Sequence, residues 1–183
     1  MYKRQVIGLD VNKVQEVFNE FSQGIIKIVN YNSPRQIVIA GDTQLVEKAM
    51  EKLKEAGAHR VIKLKTSGAF HSPLMAPAQE EFKIILDDVQ FFEPRIPIAM
   101  NATGQITYSL DEIKSALYRQ MLESVRWVDC VENMIKRGVK IFVELGPGRV
   151  LSNLIRQINS EVTTCNAGTK EEIRKTYEII KQV

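Results

Sequence analysis

One octapeptide, Gly68-Ala69-Phe70-His71-Ser72-Pro73-Leu74-Met75, sets a histidine where chemistry can use it. Imidazole titrates near neutrality, so His71 can take a proton from a nucleophile and return it to a leaving group. A lone histidine more often packs or faces solvent. This one follows a glycine and small residues, as at the end of a strand. Pro73 then opens an amphipathic run, Leu74, Met75, Ala78, Phe82, Ile85 and Leu86, that reads as a helix. A strand-to-helix junction of an α/β sheet is where such folds place their sites. The other histidine, His59, leads into a strand and is assigned no role.

The elements that must position this loop can be taken in order. Val6 to Leu9 is a short apolar run, and Asp10 is the N-cap of a helix carrying Val14, Val17, Phe18 and Phe21. Ile25 to Val29 reads as a strand. Asn30-Tyr31-Asn32-Ser33-Pro34 is turn chemistry leading to the β-branched run Gln36 to Ala40, so the pair makes a hairpin. Leu45, Val46, Ala49, Met50 and Leu53 recur at helical spacing, Gly57 ends that helix, and Val61, Ile62 and Leu64 form another strand. The order β-α-β-β-α-β is the ferredoxin-like arrangement.

Beyond the His71 helix, Ile96 to Met100 reads as a strand ending in Asn101-Ala102-Thr103-Gly104. Ser109 and Glu112 fit a capping box for a helix with Ile113, Ala116, Leu117 and Gln120 on one face. A glutamine on a face due for burial needs a specific partner. Trp127 leads into a helix with Val131, Met134 and Ile135. The buried strand Ile141 to Leu145 then turns through Gly146-Pro147-Gly148 into a helix with Val150, Leu151, Leu154, Ile155 and Ile158. A glycine turn at a helix N-terminus can hold an anion, but this one lacks the full dinucleotide pattern and is read as a tight turn. Val162 to Cys165 is a last strand, and Thr169 with Glu172 caps the final helix.

With 183 residues, 44% hydrophobic and 26% charged, the chain has the profile of a soluble globular protein of one or two domains. It has no apolar run of about 18 residues and no charged-then-apolar leader, so the expectation is a cytoplasmic protein with no membrane partner. Cys130 and Cys165 fall in a helix and a strand and are read as two reduced, packed thiols; no metal site is expected. A net charge of +3 on scattered lysines and arginines leaves no nucleic-acid footprint and suits an acidic partner.

The octapeptide resembles the histidine motif of the malonyl-CoA:acyl carrier protein transacylases and related acyltransferase domains. Glu144-Leu145-Gly146-Pro147-Gly148-Arg149-Val150-Leu151 carries the second strongest likeness, and the stretch from Asn30-Tyr31-Asn32-Ser33-Pro34 to Gly41 also resembles a family signature. The likeness covers nearly the whole chain but only the C-terminal portion of the family. It implies a ferredoxin-like small subdomain at residues 6–66 and, at residues 67–183, the C-terminal part of an α/β-hydrolase-like acyltransferase body. It implies malonyl transfer from coenzyme A to the phosphopantetheine thiol of acyl carrier protein, with malonyl-CoA as substrate and no cofactor, feeding fatty-acid or polyketide synthesis.

On the same pattern His71 is the general base and acid, and the Arg119-Gln120 position is the one whose main-chain carbonyl orients it, in place of the carboxylate of a serine-protease triad. Carbonyls in the last turn of a helix lack an intrahelical donor. One can therefore accept the Nδ1 proton of His71 and leave Nε2 to face the nucleophile. Phe70 belongs to the Ala-Phe-His arrangement that goes with a malonyl rather than a 2-methyl-branched substrate. Asn101 stands at a strand end close to the family's site, and Asn32 is placed to approach the pantetheine arm.

Such chemistry needs a serine in a Gly-x-Ser-x-Gly elbow, and the sequence contains none. Ser67 and Ser72 flank His71, but near neighbours on an extended or turning backbone point their side chains apart. The family's oxyanion donors and its malonyl-binding arginine are absent too. The lone chain is therefore expected to be catalytically silent, the electrostatic loss alone being about 3 kcal/mol or more. Two other readings stay open: a non-catalytic module that binds a carrier protein, and a standalone acyltransferase using Ser67 or Ser72. Finally, Met1-Tyr2-Lys3-Arg4-Gln5 translates one frame of a transposon end used to prepare sequencing libraries. Residues 1–5 are read as an adapter scar, the natural chain being cut at Val6, and are set aside from the fold.

Overall fold

Alternation in one short β-branched run organises the first third of the chain. The computed structural model describes residues 2–66 and 68–182. Its elements begin with β1 (Tyr2–Ile7), α1 (Val11–Asn19), β2 (Ile26–Ser33), β3 (Gln36–Gly41), α2 (Thr43–Glu55) and β4 (Arg60–Leu64). The four strands form one antiparallel sheet in the order β2-β3-β1-β4. Ile37 and Ile39 of β3 face α1 and α2, packing with Val6, Val14, Phe18, Val46 and Leu53. Val38 and Ala40 point the other way, joining Val29 and Ala69, with Leu64 and Leu74 against them. The second face is the one that receives the His71 loop. Asp10 caps α1 by accepting from the Lys13 N–H at 2.9 Å.

Residues 2–5, set aside in the sequence reading, are part of this sheet. β1 runs from Tyr2 to Ile7 instead of from Val6 to Leu9, and pairs with β3 on one side and β4 on the other. An inner strand is set by ladder pairing as well as by apolar content, so the polar positions join it. Lys3 is only 6% exposed and Arg4 4%. Arg4 turns to the helix side, where Nε donates to Met50 Sδ. Lys3 pairs with Ala40 and Leu64 on the other face, and its ammonium lies 5.7 Å from the centroid of the Phe70 ring.

The chain continues through a 3-10 turn at Pro73–Met75, α3 (Ala76–Asp88), a hairpin of β5 (Ile98–Ala99) and β6 (Ile106–Thr107), and α4 (Leu110–Arg119). The expected strand at Ile96 to Met100 is thus two residues long, since Pro97 offers no N–H to a ladder. The strand β6 that it pairs with was not anticipated. α5 (Trp127–Lys136) spans the point at which the chain divides into compact units, Met1–Cys130 and Val131–Val183.

In the second unit β7 (Ile141–Leu145) and β8 (Thr163–Ala167) pair in parallel through the crossover helix α6 (Val150–Ile158), followed by α7 (Lys170–Ile180). Thr169 and Glu172 form the expected capping box of α7. Parallel strands are ordinarily covered on both faces, yet Leu145 is 81% exposed and Val150 68%. Among the described residues no helix is long and apolar enough to cross a membrane. Cys130 and Cys165 are both buried free thiols.

A buried ammonium in an inner strand costs stability that an apolar side chain would not. Lys3→Met is expected to stabilise the chain at neutral pH by about 1 kcal/mol or more in a urea melt. Burial holds the folded Lys3 pKa below the usual lysine value, so between the two values the unfolded chain binds more protons. The penalty is complete below the folded pKa and is relieved as pH rises toward the unfolded one. The gap between variant and parent should narrow in the alkaline range; a gap that stays constant would contradict the buried charge.

Candidate functional site

The loop from β4 to α3 is held in a conformation that few side chains adopt. His71 has φ +69°, the sole positive value for a non-glycine among the described residues. This is the left-handed region, which histidine tolerates better than most and which costs on the order of 1 kcal/mol. Two hydrogen bonds keep it there. The fully buried Ser72 donates through Oγ to the Ala69 carbonyl at 2.6 Å, and the His71 N–H donates to the Met121 carbonyl at 3.1 Å. So placed, the ring sits with Nδ1 2.7 Å from the carbonyl oxygen of Gln120.

The partner strip is the end of α4, where carbonyls run out of intrahelical donors. Gln120 is the C-cap residue, and its own N–H still bonds back to Ala116. Donors from elsewhere take the freed carbonyls. Gln79 Nε2 of α3 donates to Tyr118 O at 2.9 Å, the His71 ring meets Gln120 O, the His71 N–H takes Met121 O, and Lys27 Nζ of β2 donates to Leu122 O at 3.0 Å. The strip is then sewn to the edge of the sheet. Ser124 Oγ donates to Ile28 O at 2.7 Å, Val125 N–H to Val29 O at 2.9 Å, and Tyr31 N–H to Val125 O at 2.8 Å. Val29 and Asn32 are the unpaired residues of two β2 bulges, which bend the strand toward this segment.

A carbonyl can only accept, so the contact with Gln120 requires the proton on Nδ1 and leaves the lone pair on Nε2. Burial holds the His71 pKa below the ordinary imidazole value. The Gln120 carbonyl pulls it back up, the Lys3 ammonium lowers it, the Glu123 main chain raises it and Lys27 lowers it. Lys3 and Lys27 both pair with Ala40, one from each side, and so share a row across the sheet. The net result is a neutral imidazole at neutral pH, available as a base.

The other sequence candidates are dispersed. Phe70 is 39% exposed with the Lys3 ammonium near its ring. Asn32 is half-buried at a bulge, and Asn101 Oδ1 lies 4.0 Å from Cys130 Sγ while its carbonyl accepts from Arg126 N–H at 2.8 Å. No hydrogen bond joins either asparagine to the His71 ring among the described residues. The side chain of Gln120 is half-buried; what reaches the histidine is its main chain. Ser72 is closed off by burial and its bond to Ala69, so it is not poised as a nucleophile; Ser67 lies outside the described residues. Gln79, Lys27 and Ser124 were not anticipated, because their partners lie far away in sequence and no local period marks them.

The glycine turn after β7 is closed by a carboxylate of its own. Glu144 accepts from the N–H groups of Leu151 at 3.1 Å and Ser152 at 2.8 Å, at the N-terminus of α6. Asn166 Nδ2 adds contacts to Glu144 Oε2 at 3.3 Å, Ser152 Oγ at 3.1 Å and Gly148 O at 3.2 Å. Two of the donors that could have held an external anion, the Leu151 and Ser152 N–H groups, are therefore already engaged. Burial raises the Glu144 pKa, but the bonds from Ser152, Leu151 and Asn166 outweigh it and hold the carboxyl below its usual value.

By fold and by site this is an α/β chain with a histidine whose ring meets a neutral main-chain carbonyl. No family model matches the sequence. It is 34% identical over 179 residues to the malonyl CoA-acyl carrier protein transacylase of Bacillus subtilis strain 168, covering 97% of this chain and 56% of that protein. It is 36% identical over 171 residues to the enzyme of the same name from Staphylococcus aureus strain COL, covering 92% and 56%. The solved malonyl CoA-acyl carrier protein transacylase of Clostridium perfringens superposes with a TM-score of 0.93 at 34% identity, over 99% of this chain and 57% of that one. A solved type II polyketide acyl-carrier protein in complex with its malonyl-transacylase matches at 0.92 and 34%, over 97% and 58%. The chain is thus a homologue of the malonyl-CoA:acyl carrier protein transacylases along nearly all of its length, and it spans a little over half the length of the relatives it matches.

Glu144→Gln keeps the shape of the turn but removes the charge at the start of α6. It should cost the chain about 1 kcal/mol at neutral pH, as loss of a helix cap does. Because the folded pKa is depressed, the carboxylate's contribution is full above the unfolded glutamate value and is lost as pH falls through the folded one. Denaturation series should therefore converge for the two proteins in acid; equal stability at neutral pH would show the carboxylate to be idle.

Proposed function

We propose that this chain supplies the histidine portion of a malonyl-CoA:acyl carrier protein transacylase site, acting with a serine carried outside these 183 residues. The observation that carries this is the 2.7 Å contact between His71 Nδ1 and the Gln120 carbonyl, which leaves Nε2 as the proton acceptor. The serine Oγ attacks the thioester carbon of malonyl-CoA while His71 Nε2 takes its proton. The C–S bond breaks and the proton passes to the departing coenzyme A sulfur, leaving malonyl-serine. The phosphopantetheine thiol of acyl carrier protein then gives its proton to Nε2 and attacks the ester, and the serine oxygen recovers the proton. The kinetics are ping-pong. Phe70 beside the histidine restricts bulk at the α-carbon, Asn101 supplies a hydrogen bond close to the site, and Asn32 approaches the pantetheine arm. No cofactor takes part, and two free thiols fit a reducing cytoplasm.

Within this reading the sheet ordered β2-β3-β1-β4, with α1 and α2 on one face, is a ferredoxin-like subdomain. The remainder is the C-terminal part of an α/β-hydrolase-like body. The exposed apolar side chains of α3 and its exit, Ile84 at 68%, Phe92 at 75% and Ile96 at 74%, are then faces covered by the rest of that body. The alternative, a non-catalytic module that binds a carrier protein, would need none of the histidine geometry.

The chain mixed with a polypeptide bearing the Gly-x-Ser-x-Gly elbow and malonyl-CoA should form malonyl-serine, detected by intact mass. His71→Ala should lower the rate by about 100-fold or more. The chain alone should show no adduct. Tight carrier binding with no acylation in any mixture would replace the transacylase reading with the binding module.

A further inference from the structure

Gln79 is a polar residue on a buried helix face. It lies on the buried face of α3 with Leu86, and is 6% exposed. A buried amide costs free energy unless it is hydrogen-bonded, and its partner is Tyr118 O at 2.9 Å. That carbonyl needs it. The N–H of Leu122, four residues on, turns back to Arg119 O at 3.1 Å, so the helix provides no donor at this point. The amide substitutes for a missing helical N–H.

We propose that Gln79 is a positioning residue, whose grip on Tyr118 O keeps the neighbouring Gln120 carbonyl aimed at His71 Nδ1. This rests on the histidine reading above and adds to it. His71 and Gln79 belong to one continuous loop-and-helix segment, and both grip the same final turn of α4. Gln120 O is bracketed, with Tyr118 O held on its helical side and Met121 O and Leu122 O held beyond it by the His71 N–H and Lys27 Nζ. The only other polar tie between α3 and α4 among the described residues, Tyr118 Oη to Glu80 at 2.8 Å, is exposed and attaches the side chain, leaving the main chain free to turn. Without the amide, Tyr118 O would be a helix-end acceptor lacking a donor. The helix end would rotate to wet it and carry Gln120 O off the ring.

The test uses the 183-residue chain labelled with 15N, and reads the tautomer and titration of His71 by NMR, with His59 as an internal reporter of the fold. In the parent, Nδ1 should carry the proton and Nε2 be bare. In Gln79→Leu, similar in volume but unable to donate, that signature should be lost and the His71 midpoint fall by about half a unit as the imidazolium loses its acceptor. The charged groups facing the ring, Lys3 and Lys27, are unchanged in the variant. A purely packing role for Gln79 would alter stability and leave the His71 tautomer where it was, and that result overturns the proposal. Should the His59 signals show Gln79→Leu to be unfolded, Gln79→Met decides: it keeps an unbranched side chain of similar length, cannot donate, and must give the same loss at neutral pH. The parent supplies a further check, since the Gln79 amide protons must exchange slowly; exchange at the rate of a free amide also overturns it. If the parent already carries its proton on Nε2, the failure belongs to the histidine reading itself, so the two are separable.

Discussion

A carbonyl oxygen has no proton to give. From that restriction follow the tautomer of His71, the face that its reactive nitrogen presents and the need to hold a main-chain atom as firmly as a side chain. A carboxylate on a flexible arm can hunt for a ring; Gln120 O can move only if the end of α4 moves. The structure accordingly spends its unusual features there. A left-handed histidine, held by a fully buried serine that closes its own loop, converges with a buried glutamine and a lysine on a few peptide units.

The sheet provides the platform for this through its second face. β3 is buried on both sides, and its Val38 and Ala40 side accepts Ala69 of the histidine loop. β2, at the edge, breaks its regular pairing at two bulges, and Ile28 O, Val29 O and Tyr31 N–H on its open side bond the segment after α4. An edge strand is thereby covered, and the same bonds locate the carbonyl strip. Cover and positioning come from one set of contacts.

Much of this was legible in the residues and some of it was not. The βαββαβ order, the Asp10 and Thr169 caps and the Gly57 stop follow from local rules of periodicity and turn chemistry, which act within a few residues, whereas Asn30 to Ser33, read as the hairpin's turn, are paired to β3 and extend β2. β1 was misplaced because Lys3, Arg4 and Gln5 do not look like an inner strand. Their place is set by ladders to β3 and β4, whose partners lie far along the chain. The two-residue strands β5 and β6 carry too little pattern to register. At the site, the octapeptide pointed to His71 through motif and context, but no local signal marks Gln79 or Lys27, whose acceptors are main-chain atoms without sequence identity.

A neutral acceptor also sets the strength of the base. Burial and two ammonium groups work against the imidazolium, and a carbonyl compensates less than a carboxylate would. The protonated ring is then a stronger acid than an ordinary imidazolium. In the proposed exchange between thioesters this would be an advantage on the second half of each proton transfer, because a proton taken from an alcohol would have to be surrendered promptly to a departing sulfur whose own affinity for it is modest. A carboxylate partner would favour the first half of the transfer at the expense of the second. A peptide carbonyl, held still, would leave the two halves closer to balance, as the proposed reaction, run through one histidine in both directions, requires.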